Sequence, residues 1–212
     1  MKIRWFGHSC FLFTNSQGKK IITDPFDTSV GYPLPEVEAD IVTVSHSHFD
    51  HNAINIVKGK PIAIEGEGES SIYDITIKGI STYHDEEKGK KRGTNTIFII
   101  ETDGIRITHL GDLGHNLTEE HKEKIGRVDI LCIPVGGTFT IDAEGAAKIV
   151  EFLKPKIVIP MHYKTPHSRL DIDTVDKFLK RINYPVKRWE EKEVEVIKET
   201  IPANTEVWIL SY

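Results

Sequence analysis

The segment His46-Ser47-His48-Phe49-Asp50-His51 places four candidate metal ligands within six residues. Imidazole nitrogen and carboxylate oxygen together suit zinc, iron or manganese. His46 and His48 lie two apart, so in extended backbone both side chains point to one side. Asp50 and His51 arrive as the chain turns. Taken alone, the four could fill one tetrahedral structural zinc site. Three further residues of the same chemistry, His84, Asp112 and His162, each follow an apolar run. They bring the count to seven, too many for one zinc, so the cluster reads as half of a split site.

Such a site needs a frame. Ile41-Val42-Thr43-Val44 reads as the buried strand that delivers the cluster. Other strands are expected at 2–6, 10–14, 19–23, 61–64, 71–77, 80–84, 96–101, 105–110, 129–135 and 157–160. Asp103-Gly104 marks a hairpin. Helices are expected at 52–58, from Thr118 onward, at 143–153 and at 171–181, with Asn52, Thr118 and Asp142 as caps. Residues 27–39, with Gly31, Pro33 and Pro35, read as a covering loop, and the last 30 residues as two or three charged surface strands. The alternation of strand and helix argues α/β. His46, His84, Asp112, Gly136 and His162 each follow a strand, so five strands deliver polar groups to one edge, where α/β sites form.

Composition excludes several classes. The 212 residues are read as one domain, 1–212, long enough for a substantial core. A formal charge of −5 gives no field for long nucleic acid or for an anionic membrane. No apolar run approaches the roughly 20 residues of a membrane span, and the N-terminus is too short in apolar length for a signal peptide. A cytoplasmic protein is expected. Cys10 and Cys132 lie in strand-like runs and read as buried free thiols.

His46-x-His48-x-Asp50-His51, then His84, then Gly111-Asp112, then Pro160-Met161-His162-Tyr163, resembles the metallo-β-lactamase superfamily over essentially the whole chain. The resemblance implies an αββα sandwich of two similar halves, with two divalent ions along one edge. By motif order His46, His48 and His84 would hold the first ion, Asp50, His51 and His162 the second, and Asp112 would bridge them. Zinc is the first expectation, with manganese or iron acceptable. The flavin-linked di-iron branch carries Glu where this chain has His48, which disfavours a redox role. Gly7-His8-Ser9-Cys10, Gly111-Asp112-Leu113-Gly114-His115 and Pro134-Val135-Gly136-Gly137 look like a narrower group of hydrolases related to the ascorbate-6-phosphate lactonases.

The expected activity is hydrolysis of a small-molecule ester, lactone or phosphoester, in which the ions lower the pKa of a shared water toward about 7 and so make a hydroxide nucleophile. Asp50 would orient that hydroxide as well as bind metal. The resemblance places His8 and His115 near the metals, as groups that orient ligands or donate a proton to the leaving group. Lys91 and Arg92 belong to a charged loop, 85–93, that leaves directly from His84. It is either a solvated turn or a flap that holds a substrate anion. Tyr163 is a further candidate substrate contact. His109, His121 and His167 are not expected to ligate. A nucleotide phosphodiesterase or nuclease, and a non-catalytic metal-binding protein, are the alternatives. The first usually carries an added domain, and the second usually loses ligands. Oligomeric state is not legible.

Overall fold

The structure, a computed structural model, describes residues 1–212. The strands in chain order are β1 (Lys2–Gly7), β2 (Cys10–Thr14), β3 (Lys20–Thr23), β4 (Ile41–Val44), β5 (Ile62–Glu65), β6 (Gly68–Ile72), β7 (Ile75–Tyr83), β8 (Thr94–Thr102), β9 (Ile105–His109), β10 (Ile130–Pro134), β11 (Ile157–Met161), β12 (Val186–Arg188), β13 (Glu193–Glu195) and β14 (Glu206–Ile209). Three α-helices are interspersed, α1 (Glu119–Ile125), α2 (Ala143–Leu153) and α3 (Val175–Leu179). Two mixed sheets result, ordered β13-β1-β2-β3-β4-β5 and β12-β14-β11-β10-β9-β8-β7-β6.

The uninterrupted apolar runs of β4, β10 and β11 are buried along their whole length, as strands covered on both faces must be. One core draws Trp5, Phe11, Phe13 and Ile21 from the first sheet and Ile77, Phe98, Ile107 and Ile159 from the second. Helix α2 adds Ala146, Ile149, Val150 and Leu153, its single apolar face. Asp142 caps α2 by accepting from the Glu144 and Gly145 amides. A smaller cluster, including Leu12, Ile22, Phe26, Tyr32 and Val42, lies under the loop that precedes β4. The architecture is an α/β sandwich, but over that second cluster the outer cover is loop with two single 3-10 turns, Thr28–Val30 and Ile54–Ile56.

Strand direction places the site. Strand β2 is antiparallel to both β1 and β3, and β3 is parallel to β4. The ends of β1, β3 and β4 therefore share one edge. In the second sheet β9, β10 and β11 are parallel, and β7 runs with them because β8 opposes both β7 and β9. The two edges meet where the Thr96 amide donates to the Ser45 carbonyl, at 2.8 Å.

Four local expectations change. The alternating 71–77 stretch is two strands joined at Tyr73 and Asp74, both left-handed at φ 51° and 57°. A two-residue turn keeps the period of two, so alternation alone does not reveal it. The 52–58 helix is only the 3-10 turn Ile54–Ile56, whose β-branched residues resist helix propagation. The 171–181 helix shortens to α3, with Thr174 in extended conformation at its N-cap. Strand β14 is no surface strand: it lies between β12 and β11, with Val207, Trp208 and Ile209 buried.

Candidate metal centre

Seven strand ends converge on the shared edge. Beyond the four that bring His46, His84, Asp112 and His162, and β10 with Gly136, the turn after β1 brings His8 and the end of β3 brings Asp24. His46, His48 and His84 form one group of potential ligand atoms, and His8, Asp50, His51 and His162 form another. Asp112 groups with His46 and His51, one residue from each set. Its Oδ2 lies 3.3 Å from His84 Nε2, 3.3 Å from His51 Nε2, 3.2 Å from His162 Nε2 and 3.9 Å from His46 Nε2. Ligand atoms around a four-coordinate ion with bonds of about 2.0 Å stand about 3.3 Å apart, so these spacings match one carboxylate oxygen shared between two ligand sets.

The unsatisfied atoms agree. His46 Nε2, both nitrogens of His162 and Asp112 Oδ1 are buried with no hydrogen-bond partner. Orphaned buried polar atoms are costly, and here they belong to ligand-type side chains packed together. A divalent cation fits this donor set.

A buried network sets the tautomers. Asp24 accepts from the Ser45 amide at 2.7 Å, from Ser45 Oγ at 2.6 Å and from His51 Nδ1 at 2.8 Å. Because the Ser45 hydroxyl proton goes to Asp24, its Oγ accepts from His46 Nδ1, at 2.9 Å. Both Nε2 atoms are thereby turned to the centre, as a carboxylate behind a ligating histidine does. Asp24 holds φ +42°, a left-handed position uncommon for its type. Asp24 follows the strand expected at 19–23 and is not among the candidates expected from the sequence. Its signal is an acidic residue closing an apolar strand beside the cluster strand. Asp24→Asn, which cannot accept from all three donors, is expected to lower metal affinity about 10–100-fold. Calorimetric titration checks it, and wild-type affinity would contradict it.

Asn95 is a second omission. Its Oδ1 accepts from the Asp112 amide at 2.9 Å, and its Nδ2 donates to Leu110 O and Thr82 Oγ1. Gly111, at φ +55°, allows this approach: a Cβ there would stand 2.4 Å from Asn95 Oδ1 and 2.6 Å from Ser45 Cβ.

Charge follows burial and partners. Burial lowers His46 to about 3 and His8 to about 4, so both imidazoles are neutral near pH 7. Burial also opposes charge on His51, but Asp112, Asp50 and Asp24 outweigh it and hold the metal-free imidazole well above its ordinary value. Burial likewise works against Asp112 and Asp50. The neighbouring histidines, led by His162 for Asp112 and His51 for Asp50, keep both carboxylates ionised below their usual range.

The remaining candidates fare differently. His8 Nε2 stands 3.1 Å from both Asp50 Oδ2 and His51 Nε2, inside the ligand group and not behind it. His115 is not free to give a proton: its Nε2 accepts from the Tyr83 amide at 3.2 Å and its Nδ1 donates to Asn116 O at 2.8 Å. It braces the strand end that presents His84. Tyr163 is a core residue and not a substrate contact, buried with its ring 5.3 Å from Trp5. Loop 85–93 is an anchored turn, because the amides of Glu87, Gly89, Lys91 and Arg92 all donate to the Asp85 carboxylate at 2.8–2.9 Å. Those donors overcome its desolvation and hold Asp85 at about 2. Lys91 pairs with Glu87 at 2.6 Å, and Arg92 donates to Thr138 O at 3.0 Å. His109 is buried, its Nδ1 accepting from the Gly111 amide and its Nε2 donating to Ser9 O. Beside His84 lies a cavity of about 520 Å³, walled by Arg92, His115, Phe139, Asp142 and Lys148 among others, with only two apolar residues in its lining. No helix is long and apolar enough to cross a membrane.

Comparison with known proteins gives the same direction. The Beta-lactamase superfamily domain matches residues 2–162. A UPF0173 metal-dependent hydrolase of Thermococcus onnurineus is 33% identical over 195 residues, covering 78% of this chain and 85% of that one. A second, of Archaeoglobus fulgidus, is 33% identical over 196 residues, covering 78% and 84%. Among solved structures, a candidate Zn-dependent hydrolase of the metallo-β-lactamase superfamily from Thermotoga maritima superposes with a TM-score of 0.80, at 39% identity over 99% of both chains.

Proposed function

The chain belongs to the metallo-β-lactamase superfamily, among its UPF0173 metal-dependent hydrolases, and on that premise we propose that it hydrolyses a small-molecule ester, lactone or phosphoester with two divalent ions, zinc first. The observation that carries this is Asp112 Oδ2, within 3.3 Å of imidazoles from both ligand groups. His46, His48 and His84 would hold one ion, and Asp50, His51 and His162 the other. Bound divalent ions supply a Lewis acid for the scissile carbonyl or phosphoryl oxygen and lower the pKa of water toward about 7.

The chain's own residues do the rest. Asp24 and Ser45 fix the ligand tautomers. Asp50, ionised and with a partly open side chain, orients the attacking water. The polar cavity beside His84 takes the body of the substrate, and its lining favours a hydrophilic compound of small-molecule size. The motif resemblance to the ascorbate-6-phosphate lactonases puts lactones among the first substrates to try. The zinc dependence ascribed to the Thermotoga maritima protein supports zinc. Buried, unpaired Cys10 and Cys132 fit a reducing cytoplasm, and the 212 residues act as one domain.

The test is to strip the protein with chelator, add back zinc by equivalents and assay lactones, carboxyl esters and phosphodiesters. Activity that rises through the second equivalent supports the reading. Saturation at one equivalent, or no turnover of any class when fully loaded, overturns it.

A further inference from the structure

The first turn of the chain holds a residue that the seven-ligand arrangement does not use. His8 and Ser9 form the two-residue loop between β1 and β2, where Gly7 pairs with Cys10. His8 adopts φ +51° directly after Gly7 at φ +101°. Left-handed backbone at a non-glycine residue persists only where the surroundings over-determine it, and it clusters at functional sites.

The surroundings here are specific. The His8 carbonyl accepts from the Trp5 indole at 3.0 Å and from the His162 amide at 3.1 Å. The Ser9 carbonyl accepts from His109 Nε2 at 2.9 Å and from Thr23 Oγ1 at 3.2 Å. A Cβ on Gly7 would lie 2.3 Å from the Tyr32 ring, so the turn also rests on an aromatic wall. Four donors from four different elements thus hold one hairpin tip. A buried histidine, His109, ties that tip to the Gly111 turn beside Asp112. The result is a His8 ring 4.3 Å from the His162 ring, with its Nε2 in the ligand group.

The distances distinguish a ligand from a neighbour. His8 Nε2, Asp50 Oδ2 and His51 Nε2 form a triangle with sides of 3.1, 3.1 and 3.7 Å. Those are the spacings of one face of a coordination shell with bonds of about 2.0–2.1 Å. His51 gives its Nδ1 proton to Asp24, so its neutral form presents a bare lone pair at Nε2. One proton on His8 Nε2 can serve only one of its two neighbours at 3.1 Å, whereas a cation held by all three atoms accounts for both contacts. A plain hydrogen bond to Asp50 explains one of the two contacts and leaves the other.

We propose that His8 is a direct ligand of the second divalent ion, joining Asp50, His51 and His162, so that this position has one protein ligand more than the motif order gives it. The proposal rests on the two-ion reading above. It makes the positions unequal: the first has three histidines with Asp112, and the second has three histidines, Asp50 and Asp112.

The experiment uses the full chain with Co²⁺ as the probe. Wild type and His8→Gln, the latter keeping a polar group within reach of Asp50, are titrated and followed by visible absorption and by metal content after dialysis. Melting of the metal-free forms confirms folding. In His8→Gln the first equivalent is expected to bind as in wild type, while the second weakens at least tenfold and its absorption band changes. A second equivalent with wild-type affinity and band overturns the proposal. A wild type that takes one ion only overturns the two-ion reading, and the proposal with it. Should His8→Gln not fold, long-range ¹H–¹⁵N spectra of the zinc-loaded wild type read His8 directly. An Nε2 without a proton and shifted by zinc supports ligation, and an Nε2 that keeps its proton overturns it.

Discussion

Asp112→Asn should lower kcat/KM of the metal-loaded protein about 10³-fold or more, which is about 4 kcal/mol of transition-state stabilisation. The side chain keeps its size and loses its charge. In the parent, one buried carboxylate oxygen approaches three imidazole nitrogens within 3.3 Å, from both ligand groups. On the proposed two-ion reading, losing that oxygen's charge weakens both metal positions at once, so metal content should fall together with rate. Other single ligands would report on one position only. The variant also leaves the His51 charge with fewer partners in a dry interior. Breaking such a buried pair costs about 3–5 kcal/mol, so the metal-free variant should melt earlier. His121→Ala, in helix α1 outside the ligand groups, is the control and should keep rate and metal. A variant at Asp112 that binds two ions and retains more than a tenth of the parent rate would remove the bridging role.

Part of this site can be read directly from the chain. The cluster from His46 to His51 is local, and one strand followed by one turn is enough to present it. His84, Asp112 and His162 are legible because each follows an apolar run, and a strand end has a defined place in a sheet. Residues that act across the sheets are less visible. Asp24 is 27 positions from His51, and only the parallel pairing of β3 with β4 brings their ends together. Asn95 sits at the start of β8, just outside the strand expected at 96–101, and nothing marks it until Asp112 is seen above it. His115 misleads for the opposite reason. It lies in a motif with Asp112, yet the chain turns and spends both its nitrogens on backbone groups. The charged loop after His84 reads as solvated by composition, but the Asp85 carboxylate gathers four of its amides. Composition reports solvation and does not report such local hydrogen bonding.

The electrostatics of the centre imply a proton stoichiometry for metal uptake. In the metal-free chain His51 is held protonated well above its ordinary value by Asp112, Asp50 and Asp24, which together outweigh its burial. A ligating imidazole must be neutral. Binding near pH 7 should therefore expel about one proton from His51, and apparent affinity should climb about tenfold per pH unit while that proton is present. His8 and His46 behave oppositely. Burial lowers them to about 4 and about 3, so they add no proton near neutrality. Below about pH 4 His8 charges as well, and the dependence should steepen further. The same two groups weaken the metal-free fold in acid. The unfolded chain takes up protons at these residues from about pH 6.5 downward, whereas the folded chain refuses them until about pH 4 and then 3. Their contribution is complete above about pH 6.5 and is lost as pH falls through that window. His51 has the reverse sign, stabilising below about pH 6.5 and losing that contribution as pH rises through its raised value. Titration calorimetry with zinc, in buffers of different ionisation enthalpy at about pH 6.0 and about pH 7.5, counts the released protons. About one proton at about pH 7.5 is the expected result, and no fewer at about pH 6.0. None at either would mean that His51 is already neutral among three carboxylates, against the charge balance of the centre.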